Sequence, residues 1–231
     1  MTGHRTVQVA ILQQEMARLH ILRTSLVSLC TATYLWVAMM IVRTLTPLEL
    51  PRYRDHLLRL GADDRRLRFG FPIPNERIVD FVDRLGLLDT RILVHSGPDL
   101  EVIGAAQVSV ASRDAVEFAF SVEAPYRGRG VATALFDRAL IWARNRRIRR
   151  AYVQCLAENH AMRRIARKAG MAISTETGES EGALCIPAAT PMTLLHELTT
   201  ENVGLLDAAV KANRMKINAF TAWLSTPLAV E

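Results

Sequence analysis

Cysteine is scarce in this 231-residue chain, and its placement limits the class of protein. The three cysteines, Cys30, Cys155 and Cys185, are odd in number and scattered without the spacing of metal ligands. That pattern argues against a disulfide framework and against a zinc site, so no metal is predicted. It is typical of reduced thiols and predicts a cytoplasmic protein.

Lysine and aromatic residues are also few, although the formal net charge is +6. Only Lys168, Lys211 and Lys216 are lysines, and arginine supplies the remaining positive charge. Such charge suits nucleic acid or acidic ligands, and a codon bias toward arginine accounts for it equally. Aromatic residues are 6% of the chain, and none alternates with the basic run at 144–150. A nucleic-acid partner is therefore not predicted.

Charge is absent from residues 24–42, a run of 19 residues between Arg23 and Arg43. This length would span a bilayer as a helix, but five serines and threonines moderate its hydropathy and no signal cleavage site follows. Three interpretations stay open for residues 1–39: a dispensable helical extension, a helix packed on the domain or on a partner, or a membrane anchor. The folded domain is expected to begin near Met40, and an oligomer is compatible with the sequence.

Alternating and helical patterns succeed one another through the rest of the chain. Short turns join several strands, which favours an antiparallel meander, whereas a helix between 115–122 and 151–156 makes those two strands parallel. The sequence thus predicts an α/β (α+β) fold with a mixed, mostly antiparallel sheet of about six or seven strands flanked by helices. Residues 62–70 are expected to form a charged connection, and 191–231 a helical tail packed on the domain. Strands are predicted at 41–46, 91–95, 101–110, 115–122, 151–156, 171–177 and 183–187, and helices at 48–60, 75–85, 131–147 and 159–170.

The stretch 117–132, EFAFSVEAPYRGRGVA, carries the main functional signal. Its turn, 127–132, combines two glycines that free the backbone, two arginines, and the N-terminus of a helix, so it is suited to bind a pyrophosphate. In the strand before it, Val116, Phe118, Phe120 and Val122 share one face. The other face offers Glu117 beside Ala119 and Ser121, which leaves room for a substrate.

Two motifs resemble those of the GNAT superfamily of acetyl-CoA-dependent N-acetyltransferases. The first is Arg127-x-x-Gly130-x-Ala132, between a strand and a helix as that family requires. The second follows the next strand at the family's spacing and consists of Asn159, Met162, Ile165, Ala166, Lys168, Gly170 and Met171. The resemblance covers about residues 40–190. The segments 56–70, 117–122 and 143–171 look more specifically like GNAT domains related to protein-lysine acetyltransferases.

The resemblance implies acetyl-CoA as cosubstrate, bound in a splay between the strands 115–122 and 151–156. Main-chain groups of Phe120, Ser121 and Val122 would hold the pantetheine arm and polarise the thioester carbonyl. Asn159 would contact the pantetheine or the substrate, in addition to capping its helix. The backbone amides that would hold the pyrophosphate are those of Arg127, Gly128, Arg129, Gly130, Val131 and Ala132.

The chemistry implied is transfer of the acetyl group to an amine, on a protein lysine or a small molecule, by direct attack on the thioester. Glu117 is the predicted general base, whereas Glu123, at the strand's end, is expected to be solvated. The family's tyrosine that protonates the leaving thiolate is replaced by Ala166, so no general acid is named; Tyr126, Cys155 and His160 are the nearby candidates. The alternative is a non-catalytic acetyl-CoA-binding regulatory module.

Overall fold

The computed structural model describes residues 41–225, with side chains as far as Thr221. The interpretations of residues 1–39 and the last residues of the predicted tail lie outside this range. Among the helices of the described range, none combines the length and apolarity that crossing a bilayer demands.

Six α-helices and seven strands form the described part of the chain. The helices are α1 (Leu50–Arg59), α2 (Ala62–Phe69), α3 (Asn75–Asp83), α4 (Val131–Asn145), α5 (His160–Lys168) and α6 (Pro191–Ser225). The strands are β1 (Arg43–Thr44), β2 (Thr90–Ser96), β3 (Val102–Ser112), β4 (Ala115–Val122), β5 (Arg150–Leu156), β6 (Ala172–Glu176) and β7 (Glu179–Cys185).

All seven strands belong to one sheet, in the order β1-β2-β3-β4-β5-β7-β6. Every neighbouring pair is antiparallel except β4 and β5, which α4 connects and which run parallel. The predicted fold class is confirmed, including the single parallel pair at the centre of the sheet.

Each face of the sheet has its own apolar core, because alternate strand residues point to opposite sides. One core surrounds α4 and includes Phe118, Leu135 and Phe136, all nearly inaccessible to solvent. The other lies under α1 and α3 around Leu57 and Ile78. Each such side chain contributes about 1.5–3 kcal/mol by burial. The two cores place helices on both faces of the sheet.

Residues 62–70 are not the charged connection expected from the sequence but helix α2. Its acidic residues Asp63 and Asp64 lie in the first turn and Arg66 and Arg68 in the last, where each sign complements the helix dipole. Gly70 ends the helix with a left-handed backbone, φ 84°. With few apolar residues, the segment shows no clear helical periodicity, so its charge pattern was the available signal.

Other differences concern element ends. The first strand is only Arg43–Thr44. The closing hairpin turns at Thr177–Gly178, so β7 begins at Glu179, earlier than the predicted 183. Asn159 caps α5 as predicted, since its Oδ1 accepts a hydrogen bond from the amide of Met162 at 3.0 Å.

Helix α6 lies against α4 and β1 through an ion cluster. The guanidinium of Arg138, almost fully buried, donates to Glu201 at 2.6 Å and lies 3.6 Å from Glu197. Glu201 also accepts from the backbone amide of Thr44 at 3.1 Å. The helix is thereby joined to two separate elements of the domain.

Candidate active site

The central feature is a gap between the two parallel strands. Their pairing runs from Ala115–Arg150 to Glu117–Tyr152 and stops there, although β4 continues to Val122 and β5 to Leu156. Beyond Glu117 the strands therefore separate, and the backbone groups on the facing edges have no ladder partners in this pair. A ligand with amide groups is able to pair with such edges.

A cavity of about 580 Å³ opens beside the separated part of β4. It is large enough for an extended ligand of the size usually bound in such clefts. Its walls come from β4, the turn after it, helices α2, α4 and α5, and Leu60 just after α1. Of the residues assigned by resemblance to the cofactor, those lining the cavity are Phe120, Ser121, Val122, Arg127, Gly128, Gly130, Val131, Ala132 and Asn159. The structure thus brings together all of these predicted residues except Arg129.

The turn 127–132 has the backbone that its sequence predicts for anion binding. Gly128 and Gly130 have φ of 73° and 87°, in the left-handed region that favours glycine. Gly130 is the N-cap of α4, and no side chain caps the helix, so its first amides stay available. Arg164 and Lys168 add positive charge to the cavity wall. These features fit a pyrophosphate.

The two arginines of the turn differ in their contacts. Arg127 pairs with Asp64 of α2 at 2.6 Å and donates to the carbonyl of Val122 at 3.1 Å. Arg129 does not line the cavity, and its guanidinium lies 5.6 Å from the ring centroid of Tyr126. The roles assigned to both in binding stay predictions.

Glu117 lies at the last paired position before the strands separate. It is exposed, on the face opposite Phe118, and it does not line the cavity. Among the side chains and backbone groups that the structure describes, its carboxylate has no hydrogen-bond or ion-pair partner. An exposed, unpaired carboxylate at this point is able to accept a proton, but its role as base stays a prediction.

Ala166, which stands where the family has its tyrosine, is a packed core residue. Ala166 is 2% exposed and faces Gly182 of β7, next to the sulfur of Met171. Of the other candidates, Cys155 is half-buried, which raises the pKa of its thiol, and His160 is exposed. Tyr126 lines the cavity just before the turn 127–132, which is called the phosphate turn below.

Sequence reasoning missed a buried polar network at the end of β4. His56 of α1, fully buried, lies 2.9 Å from Ser121 Oγ through Nε2 and 3.1 Å from Glu123 through Nδ1. Arg59 also donates to Glu123, at 2.9 Å. Glu123 is therefore not solvated as expected: its side chain is 15% exposed. Burial opposes its ionisation, but the bonds from His56 and Arg59 outweigh this and lower the pKa of the carboxyl.

Helix α2 also brings residues that the sequence did not suggest. Arg68 lines the cavity and donates to Gln107 of β3 at 2.8 Å. Tyr53 donates to the same Gln107 oxygen at 3.2 Å. Because the contact between Arg68 and Gln107 joins positions 39 residues apart, no local pattern could have indicated it.

Comparisons with known proteins agree with this geometry. None of the curated proteins compared with the chain matches it. Among solved structures, the GNAT domain of PAT from S. lividans is similar, with 24% identity, a TM-score of 0.54, and coverage of 62% of this chain and 89% of that one. Spermidine N-acetyltransferase from Vibrio cholerae, in complex with CoA and spermine, is similar at 13% identity and a TM-score of 0.50, covering 63% and 94%. At these identities the likeness concerns the fold.

The family itself is shown by sequence. The model of the acetyltransferase (GNAT) domain matches residues 40–172, more than half of the chain, and spans the separated strands, the phosphate turn and Asn159. The chain therefore belongs to the GNAT acetyltransferase family and is an acyltransferase that uses acetyl-CoA as cosubstrate.

Proposed function

We propose that the chain transfers the acetyl group of acetyl-CoA to an amine, a protein lysine or a small-molecule amine, by direct attack on the thioester. The observation that carries this proposal is the separation of β4 from β5 beside a cavity of about 580 Å³. The phosphate turn lies at one end of β4, and the unpaired carboxylate of Glu117 lies toward the other. In this proposal the cosubstrate and the base lie along one strand.

The residues that hold acetyl-CoA in this proposal are those of the cavity. Amides of the turn 127–132 bind the pyrophosphate, and main-chain groups of 120–122 pair with the pantetheine arm, as an added strand would. Asn159 contacts the same arm while it caps α5. Acetyl-CoA supplies an activated acyl group, so the protein has to orient the thioester, take a proton from the amine and supply one to the departing thiolate.

Glu117 is the proposed base. An amine carries a proton near neutral pH and cannot attack until it loses it, and a positioned base typically contributes about 10²–10⁴-fold. Glu117 lies three residues before Phe120, about 10 Å along the strand. The amine would enter between these two positions, so that the cosubstrate lies on one side of it and Glu117 on the other.

An amine acceptor is supported by the fold of a neighbour, which holds CoA and spermine together. The test is thiol release from acetyl-CoA across a panel that includes lysine peptides, polyamines and other small amines. We expect CoA release and a matching acetylated product with at least one class. No release with any acceptor would overturn the proposal and favour a non-catalytic acetyl-CoA-binding module.

The base is tested by Glu117→Gln, which keeps the shape of the side chain and removes its charge. We expect acetyl-CoA binding to be retained and kcat to fall by about 10²-fold or more, because the general base is lost. Glu181→Gln, an exposed strand glutamate on β7, is the matched control and should leave kcat unchanged. Equal turnover in both variants would remove Glu117 as base.

A further inference from the structure

We propose that Ser121, His56 and Glu123 form a proton relay that delivers a proton to the departing thiolate of CoA, in place of the hydroxyl that Ala166 lacks. Ser121 is the proton donor, and His56 and Glu123 are positioning residues behind it. The inference rests on the proposed function, which needs two proton transfers. Glu117 is assigned the removal of a proton from the amine, and the relay supplies a proton to the thiolate.

The three side chains form a continuous chain of hydrogen bonds. Ser121 lines the cavity, in the middle of the segment proposed to hold the pantetheine arm. Its Oγ is 2.9 Å from Nε2 of His56, and Nδ1 of His56 is 3.1 Å from Glu123. His56 is fully buried, so both ring nitrogens depend on these protein partners.

Other proton-bearing groups on the cavity wall are less suitably placed. The wall has two further hydroxyls, on Tyr126 and Thr133. Both belong to the phosphate end, since Tyr126 precedes the turn and Thr133 lies in the first turn of α4. Lys168 faces Asp137 of α4, and its charge stabilises that carboxylate. Of the hydroxyls on the described wall, Ser121 is the one on β4 backed by a titratable side chain.

The surroundings of His56 fix its orientation. Glu123 is charged and also bonded to Arg59, so Nδ1 of His56 donates to it and Nε2 is directed to Ser121. The ring of Tyr53, on the same helix, stacks at 6.5 Å, but its hydroxyl bonds to Gln107. The groups facing His56 are therefore Tyr53 from α1, Ser121 from β4 and Glu123 just after it.

Each proton that moves in the relay has a defined donor and a defined acceptor. When the C–S bond breaks, its electron pair stays on sulfur, and the Ser121 Oγ–H proton passes to that sulfur. The Nε2–H proton of His56 passes to Oγ, while the Nδ1–H stays on the ring, bonded to Glu123. After CoA leaves, water in the open cavity returns a proton to Nε2 of His56 through the Ser121 hydroxyl. Ser121 ends the cycle unchanged.

The kinetic test compares Ser121→Ala with Ser180→Ala. Ser180 is a buried β7 serine bonded to Thr175, so it matches Ser121 in burial and hydrogen bonding. We expect Ser121→Ala to lower kcat by about 10²-fold, with KM for acetyl-CoA within about twofold of the wild type. His56→Gln should lower kcat similarly. Retained kcat in Ser121→Ala, or an equal loss in Ser180→Ala, would overturn the relay.

A second readout does not depend on turnover. Nitrogen-15 NMR of the His56 ring should show a shift when CoA binds, and a smaller shift with desulfo-CoA, because the sulfur contacts Ser121. The difference between the two ligands should disappear in Ser121→Ala. If CoA and desulfo-CoA shift His56 equally in the wild type, the sulfur does not contact the relay and the inference is wrong.

These results separate the two proposals. A wild-type protein that acetylates an amine while Ser121→Ala keeps its kcat contradicts the relay alone. A wild-type protein inactive on the whole panel contradicts the proposed function, and the NMR comparison still decides whether Ser121 meets the sulfur.

Discussion

At the scale of single residues, Gly128 and Gly130 determine the shape of the phosphate turn. Both have positive φ, and a Cβ built on Gly128 meets no atom within 4 Å. Space is thus available there for a side chain, whereas the backbone conformation is unfavourable for one. The two effects of glycine, freedom of φ and small size, are therefore separable at Gly128.

Gly128→Ala is expected to weaken binding of CoA. A left-handed alanine costs roughly 1–2 kcal/mol, and a turn that relaxes to avoid this cost moves its amides, so Kd should rise about five- to thirtyfold. Calorimetric titration with CoA measures it. Gly86→Ala is the control, because Gly86 also has open space and has no positive φ. Equal Kd values in the two variants would contradict a role for this backbone conformation.

At the scale of elements, the attachment of α6 depends on a few charged contacts. Glu201 joins Arg138 of α4 to the amide of Thr44 in β1. Many large apolar side chains on the remaining surface of α6, such as Leu198 and Leu206, are exposed. Polar contacts with α4 and β1 are thus prominent in holding this helix.

Glu201→Ala is expected to destabilise the protein by about 1–3 kcal/mol. Removing one partner of a buried pair costs about 3–5 kcal/mol; the value is lower here because Glu201 is 27% exposed and Arg138 retains Glu197. Urea unfolding measures the change. Asp80→Ala, which breaks the exposed pair with Arg84, should cost about 0.5 kcal/mol or less. Similar losses in both would show that the buried cluster adds nothing.

Elements whose signal is local were predictable from the sequence. β4, the phosphate turn and α4 were recognised because alternation, glycines and helical spacing occur within 30 residues of each other. Helix α2 was missed because its pattern is one of charge, without an apolar stripe. The relay was missed because His56 and Ser121 are 65 positions apart, and only the packing of α1 on the sheet brings them together.

At the scale of the whole molecule, acid should weaken the fold through carboxylates that are bonded in the native state. Glu49 is the clearest case: burial opposes its ionisation, but hydrogen bonds from Arg43 and Thr46 outweigh this and lower its pKa from 4.5 to about 2. A lowered pKa means that the native state resists protonation. The stabilisation is complete above about pH 4.5 and is lost as the pH falls toward 2.

The shift in Glu49 corresponds to about 3 kcal/mol. The free energy of unfolding of the wild type should therefore fall more steeply between pH 5 and pH 2.5, two values at roughly the ends of this window, than that of Glu49→Gln. Urea unfolding over this range measures both. Glu76→Gln, on an exposed position of α3, should keep the wild-type slope. A Glu49→Gln slope equal to that of the wild type would contradict the assignment.

The separation of β4 from β5 gives the sheet internal edges. Besides its outer edges at β1 and β6, the sheet has two more at its centre, on β4 after Glu117 and on β5 after Tyr152. Open edges are sites where extended chains add by backbone pairing. A non-peptide ligand that hydrogen-bonds along β4 occupies the open backbone groups of this edge. It thereby prevents an extended segment of another protein chain from pairing with β4.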